Sequence, residues 1–109
     1  MELRSAFAAT LRSLRALRAL TQEDFSEISS RTNVSLLERG RTIPTLEKLE
    51  QLCSVLEVHP ITFVTACYSC KEGLSRAELL RRVNEELGSV PEFVVDPMNE
   101  GGLAHALDT

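Results

Sequence analysis

The side chains with the richest hydrogen-bonding chemistry in this chain lie between residues 31 and 42. A short predicted helix begins with arginine, threonine and asparagine, and further arginines flank the glycine at which it ends. A guanidinium can pair with guanine O6 and N7, an amide with adenine N6 and N7, and a threonine methyl group with thymine. The residues expected to face outward from this helix are Arg31, Thr32, Asn33, Ser35 and Leu36. These groups are therefore suited to contact the edges of DNA bases.

Two short helices joined by a tight turn are expected to position these groups. Thr21 is a suitable N-cap for the first helix, and Ser29 or Ser30 can cap the second. Gly40 suits the left-handed conformation in which a helix often ends. Two short helices with a minimal turn form the helix-turn-helix device, whose second helix enters the DNA major groove. The leading hypothesis is therefore a sequence-reading DNA binder.

The rest of the chain reads as further helices, so the predicted fold class is all-α. Apolar residues at three- and four-residue steps predict helices over about 5–19 and 46–56, the latter capped by Thr45. Pro60 opens a nearly apolar helix, and a capping-box pattern at 75–78 starts the last one. The predicted organisation is a DNA-binding domain, a C-terminal helix and a flexible acidic tail, over residues 1–70, 71–88 and 89–109.

The charge distribution favours a DNA-binding face at the front of the chain. Residues 1–42 carry seven arginines against five acidic residues, whereas residues 71–109 carry four basic residues against eight acidic ones. The net charge of −4 argues against a protein that coats nucleic acid through bulk electrostatics. No apolar stretch approaches the roughly 20 residues of a membrane span, and arginines interrupt every apolar run near the N-terminus. We therefore expect a cytoplasmic protein without a membrane segment.

The three cysteines are expected to be reduced thiols. Cys67 and Cys70 have zinc-like spacing, but no second pair completes a tetrahedral site and His59 is the only nearby further candidate. Small, partly buried thiols on a helix are the favoured interpretation, so we predict no metal and no cofactor. An enzyme is also disfavoured, because no histidine–carboxylate constellation accompanies these thiols and no phosphate-binding glycine loop is present.

Residues 11–64 resemble the Cro/repressor-type helix-turn-helix family, often labelled XRE. The resemblance covers about half of the chain and implies a five-helix, lambda-repressor-like domain that binds operator DNA, usually as a dimer. The pieces that carry it are Leu14-Arg15, Leu20-Thr21-Gln22-Glu23-Asp24-Phe25, Val34-Ser35-Leu36-Leu37-Glu38-Arg39-Gly40, Ile43-Pro44-Thr45-Leu46 and Leu52-x3-Leu56-x-Val58.

The resemblance also implies roles for single residues. Gln22 corresponds to a phosphate contact at the start of the first helix, and Arg15 and Glu38 correspond to a partly buried ion pair. The face that enters the major groove corresponds to Arg31, Thr32, Asn33 and Ser35. The loop that contacts the DNA backbone corresponds to Arg39 and Arg41, and Thr42 follows them in the same loop as a further candidate for DNA binding.

The chain departs from this family at two places. The turn between the two short helices is shorter than usual, with Ser29-Ser30 in place of its glycine, and Ala19 stands where a glycine often ends the first helix of the domain. Arg12, Arg15 and Arg18 share one stripe of that helix. This stripe is either solvated or supplies phosphate contacts, and Arg15 has the ion pair as a rival role.

Two functions fit these observations. The first is a transcriptional regulator of the repressor type that recognises a short palindrome in double-stranded DNA as a homodimer. The alternative is an antitoxin or adaptor with the same fold whose C-terminal segment binds a protein partner. The residues expected at the dimer interface are Phe63, Tyr68, Leu80, Val83 and Leu87.

Overall fold

The computed structural model describes residues 1–90, apart from the side chains of Arg31 and Thr32. These residues form helices and no strand, which confirms the predicted all-α fold class. The 3-10 helix η1 takes the place of the first short helix. The elements in chain order are α1 (Leu3–Leu17), η1 (Gln22–Phe25), α2 (Arg31–Glu38), α3 (Leu46–Leu56), α4 (Pro60–Glu72) and α5 (Arg76–Ser89).

The chain divides into two compact units between Arg76 and Ala77. The first unit holds α1 to α4 with η1, and almost all of α5 belongs to the second. The predicted acidic tail lies almost entirely outside the described residues. No single helix within residues 1–90 is long and apolar enough to cross a membrane; α3 and α4 reach that length only as a pair bent by 101°.

The core of the first unit is built from one apolar face of each helix. Phe25, Leu52 and Leu56 are completely buried, and the rings of Phe7 on α1 and Phe63 on α4 pack with their centroids 4.9 Å apart. Because Phe63 and Cys67 are four residues apart, they share the face of α4 that packs on this core. The prediction that Phe63 faces a partner molecule is therefore wrong, since none of its surface is exposed.

Several helix ends lie where the sequence predicts them. Thr45 accepts a hydrogen bond from the backbone N–H of Lys48 at 3.1 Å and begins α3, whose bounds match the prediction. Pro60 occupies the first turn of α4, and Gly40 follows α2 with a φ of +70°. Ala19 and Glu57 also have positive φ, at 56° and 57°, so two non-glycine residues occupy left-handed positions after α1 and α3.

The first short helix differs from the expectation, because it is a 3-10 helix of four residues. The carboxylate of Asp24 accepts from the backbone N–H of Thr21 at 2.6 Å, and the N–H of Asp24 donates to the carbonyl of Thr21 at 3.1 Å. Such i to i+3 bonds wind the chain more tightly than an α-helix and occur in short pieces. The tight winding leaves Phe25 buried and brings the chain into the turn at residues 26–30.

Candidate nucleic-acid interface

Helix α2 is the recognition helix of this arrangement. Ser30 caps it by accepting from the backbone N–H of Asn33 at 3.1 Å. Val34 and Leu37 are buried on its inner side, with 0% and 4% of their surface exposed. Of the outward residues predicted to contact bases, the structure shows Asn33 exposed and Ser35 and Leu36 half-buried. The side chains of Arg31 and Thr32 lie outside the described part of the structure.

An ion pair between α1 and α2 holds the C-terminal end of the recognition helix. The Arg15 guanidinium donates from Nε to Glu38 Oε2 at 2.5 Å and from Nη2 to Glu38 Oε1 at 3.0 Å. This bidentate contact is the strong form of an arginine–carboxylate interaction, and the hydrogen bond with Glu38 raises the pKa of Arg15. The Glu38 side chain is only 5% exposed, so solvent contributes little to its environment and Arg15 is the cation that pairs with it.

Gln22 belongs to the same network. Its Nε2 donates to Glu38 Oε1 at 3.0 Å, so one carboxylate oxygen accepts from both Arg15 and Gln22. A primary amide carries two N–H groups, and the second remains for another acceptor. The contact with Glu38 was not expected from the sequence. The phosphate contact assigned to Gln22 by resemblance remains a prediction.

The other two arginines of the α1 stripe donate to backbone carbonyls at the ends of helices. Arg12 donates from Nη1 to the carbonyl of Glu38 at the end of α2. Arg18 donates to the carbonyls of Leu56 and Glu57 at the end of α3, at 3.0 and 3.3 Å. The last carbonyls of a helix have no partner within it, and a cation there also complements the helix dipole. The stripe therefore has a structural role, which the sequence analysis left open between solvent and phosphate.

The arginines of the loop after α2 are more available to a ligand than those of the α1 stripe. Arg39 and Arg41 are exposed on either side of Gly40. Arg39 Nε makes a long contact of 3.3 Å to the carbonyl of Ser35, and within residues 1–90 no partner of the Arg41 side chain is seen. The N–H of Arg41 donates to the carbonyl of Leu36 at 3.0 Å, which fixes the start of the loop. Thr42 follows and is half-buried. Exposed cations on a fixed loop suit contacts with a DNA backbone.

A cleft of mixed polarity beside the recognition helix contains a residue that was not predicted from the sequence. The cleft has a volume of about 200 Å³ and is lined by Ser29, Asn33, Thr42 and Lys48, among others. Lys48 lies on α3, and its Nζ donates to the carbonyl of Ile28 in the turn before α2. The sequence shows Lys48 only as a polar residue in the first turn of α3. Its proximity to the turn follows from how α3 packs, which no local pattern reveals.

Two of the three cysteines lie in the core, and the third lies on the surface. Cys53 and Cys67 are buried, and Cys70 is exposed on α4. Burial raises the pKa of Cys53 to about 11 and also raises the pKa of Cys67. Among residues 1–90, no three histidine, cysteine or acidic side chains are grouped so that they could hold a metal ion. The Nδ1 of His59 accepts from the backbone N–H of Ile61 at 3.0 Å.

Two short helical segments, η1 and α2, are joined by a tight turn, and the second is capped by Ser30. This arrangement defines a helix-turn-helix protein. The family model described as helix-turn-helix domain matches residues 6–62, which is more than half of the 109 residues. The chain belongs to this family, in agreement with its resemblance to XRE-type regulators. Comparison with curated proteins and with solved structures gave no match. Membership of this family makes the protein a DNA-binding one.

Proposed function

We propose that this protein is a transcriptional repressor that recognises a palindromic operator in double-stranded DNA through the major groove. The observation that carries the proposal is the recognition helix, which is fixed at its C-terminal end by Arg12 and Arg15 and carries an exposed Asn33. A rigid helix that presents polar groups outward can read base edges. The nearby exposed Arg41 supplies charge for the DNA backbone.

The roles of the individual residues follow from this proposal. The residues predicted to face outward from α2 contact base edges, with Asn33 suited to an adenine and Arg31 to a guanine. They are Arg31, Thr32, Asn33, Ser35 and Leu36. Arg39, Arg41 and Thr42 lie against phosphates, and Gln22 uses its second amide N–H on another phosphate. An operator that overlaps a promoter would be blocked by the bound protein, which is why repression is the simplest regulatory outcome. No catalytic step is involved.

The homodimer is proposed on the basis of α5. None of its residues is buried, and Leu80, Val83 and Leu87 form an apolar stripe with between 43% and 48% of each residue exposed. Their spacing of three and four residues is that of the seam of a two-stranded coiled coil. The α5 helix of a second copy fits this stripe, and twofold symmetry would match the symmetry of a palindrome. Tyr68 on α4 is half-buried and is kept as a second candidate contact.

Selection from a random-sequence duplex library with the full chain tests the DNA-binding proposal. We expect enrichment of one motif with two inverted half-sites, and a footprint covering both. Arg31→Ala should relax base preference at one position of each half-site, at a cost of about 1–3 kcal/mol. Failure to enrich any sequence above the starting library would contradict the proposed function.

Light scattering of the full chain tests the dimer. We expect a dimer for the natural sequence and a monomer for a Val83→Glu, Leu87→Glu double variant, because a charge in the seam opposes pairing. An Arg81→Gln, Arg82→Gln double variant is the control, because it also lowers the net charge by two units and both residues lie away from the stripe on α5. A natural chain that stays monomeric and binds a half-site as well as a palindrome would contradict the dimer. The α5 stripe would then fit a different protein, as in the adaptor alternative.

A further inference from the structure

The turn before the recognition helix is held by a cation from another helix. In the turn at residues 26–30, the N–H groups of Ile28 and Ser29 both donate to the carbonyl of Phe25, at 3.0 and 2.9 Å. The carbonyl of Ile28 accepts from Lys48 Nζ on α3. Ile28 itself packs on the core, so both its side chain and its carbonyl are engaged. The turn is therefore tied to α3 immediately before α2 begins.

Lys48 occupies an unfavourable place for a cation in its own helix. It lies in the first turn of α3, where its backbone N–H donates to the Thr45 hydroxyl at 3.1 Å. The N-terminal end of a helix carries a partial positive charge, so acidic residues are favoured there and lysine is disfavoured. A residue that breaks a local rule usually has a compensating role elsewhere in the structure. The bond to the Ile28 carbonyl is such a role.

This bond lies beside the part of α2 that is expected to read bases. Lys48 lines the same cleft as Asn33, and Ser29 of the turn lines it too. Helix α2 has eight residues and is about 12 Å long. Arg12 and Arg15 hold its C-terminal end through Glu38, whereas Lys48 acts on the turn that leads into its N-terminal end. Cations on α1 and α3 therefore contact both the C-terminal end of α2 and the turn that precedes it.

We infer that Lys48 is a positioning residue for sequence recognition: it orients the N-terminal half of α2 through the Ile28 carbonyl. The inference rests on the proposed function, because it explains how the protein would distinguish its operator from other DNA sequences. Loss of the bond lets the turn and the first residues of α2 change direction. Discrimination between sequences then falls, while the attraction of the loop arginines for any DNA backbone is unchanged. A phosphate contact by Lys48 would have the opposite signature, since it contributes equally to all sequences.

Lys48→Met is the main variant, since methionine keeps a chain of similar length and removes the donor. Lys71→Met is the matched control, because Lys71 is the other lysine of the chain and lies on the last turn of α4. The probes are the duplex enriched by the natural full chain from a random library and a shuffled duplex of the same composition. Affinity for both is measured over a series of salt concentrations. Amide chemical shifts of the free variants, from nuclear magnetic resonance spectra, show whether residues 28–34 move without DNA.

For Lys48→Met we expect the ratio of specific to shuffled affinity to fall roughly fivefold or more, the lower end of what one good base contact contributes. Affinity for the shuffled duplex and its salt slope should not change, and amide shifts should change most at residues 28–34. Lys48→Arg, which keeps a charged donor, should recover much of the discrimination. Lys71→Met should match the natural chain in every measurement. Lys48→Ala replaces Lys48→Met if that variant does not fold, with the same expectations, because alanine also has no donor and suits a helix.

Two results would overturn the inference. Equal loss for both duplexes, with a salt slope reduced by about one, would make Lys48 a phosphate contact. Unchanged discrimination with unchanged shifts at residues 28–34 would mean that the bond does not orient α2. If the natural chain itself fails to distinguish the two duplexes, the proposed function fails instead. The free-protein spectra then still report whether Lys48 positions the turn.

Discussion

Two sets of arginines in this protein have similar sequence surroundings and different structural roles. Arg12, Arg15 and Arg18 on α1 donate to carbonyl or carboxylate oxygens of other elements of the first unit. Arg39 and Arg41 flank Gly40 on an exposed loop, and the Arg41 side chain has no hydrogen-bond or ion-pair partner among the described side chains. The α1 set stabilises the fold, whereas the loop set is available to DNA. We call them the α1 arginines and the loop arginines below.

The difference comes from what lies opposite each guanidinium. The α1 arginines face the C-terminal ends of α2 and α3, where helix carbonyls lack partners and the helix dipole attracts a cation. The loop arginines lie at the C-terminus of α2 on either side of Gly40, whose left-handed conformation ends the helix. Spacing on a helix does not reveal which of these situations applies. A stripe of arginines near a helix-turn-helix unit is thus not by itself a phosphate-binding surface.

The largest expected effect is a loss of stability when the Arg15–Glu38 pair is broken. This loss would distinguish the α1 arginines, which stabilise the fold, from arginines that contact DNA. Arg15→Ala leaves the Glu38 carboxylate buried with only Gln22 as a side-chain donor. We expect a loss of about 2–4 kcal/mol in the free energy of unfolding, less than for a fully buried pair because Arg15 is partly exposed. Urea melts of Arg15→Ala, Glu38→Ala and the double variant measure it. Additive losses in this cycle would show that the two side chains do not interact.

The loop arginines should show the reverse pattern. Arg41→Ala should leave the melting temperature unchanged, because its side chain makes no hydrogen bond or ion pair with the described side chains. The free energy of binding to every duplex should weaken by about 0.5–1.4 kcal/mol, an even share of nonspecific binding over the usual number of phosphate contacts, with a salt slope smaller by about one. Titrations over a range of salt concentrations measure this. A lower melting temperature with an unchanged salt slope would move Arg41 into the structural set.

The division between the two sets also shows what the sequence could predict. Helix periodicity, the Thr45 cap, Pro60 and Gly40 are local patterns, and each lies in the structure where it was expected. The Arg15–Glu38 pair was available only through resemblance to a family. The contacts of Arg12, Gln22 and Lys48 join residues at least 16 positions apart and depend on how whole helices pack. Phe63 was misplaced for the same reason, since a nearly apolar helix does not indicate which face is buried.

Arg18 should have a smaller effect, on stability alone. Arg18→Met keeps most of the aliphatic chain but removes the donors to the carbonyls of Leu56 and Glu57. We expect a loss of about 1 kcal/mol in the free energy of unfolding, the usual net contribution of such a hydrogen bond. The salt dependence of duplex binding should be that of the natural chain. If Arg18→Met instead lowers the salt slope as Arg41→Ala does, Arg18 contacts phosphates and the comparison between the two sets fails.

The smallest expected effect concerns the residue after Arg18 and involves no charge. Ala19 has a φ of 56°, a left-handed conformation that strains a residue with a Cβ atom. Ala19→Gly relieves this strain of roughly 1–2 kcal/mol but gives the unfolded chain more freedom, so a net gain of about 0.5 kcal/mol in the free energy of unfolding is expected. Ala16→Gly is the matched control, because Ala16 is an exposed residue inside α1 and should lose about 1 kcal/mol instead. Urea melts of both variants distinguish these signs. If Ala19→Gly destabilised the protein as much as Ala16→Gly, the left-handed conformation at Ala19 would not be strained.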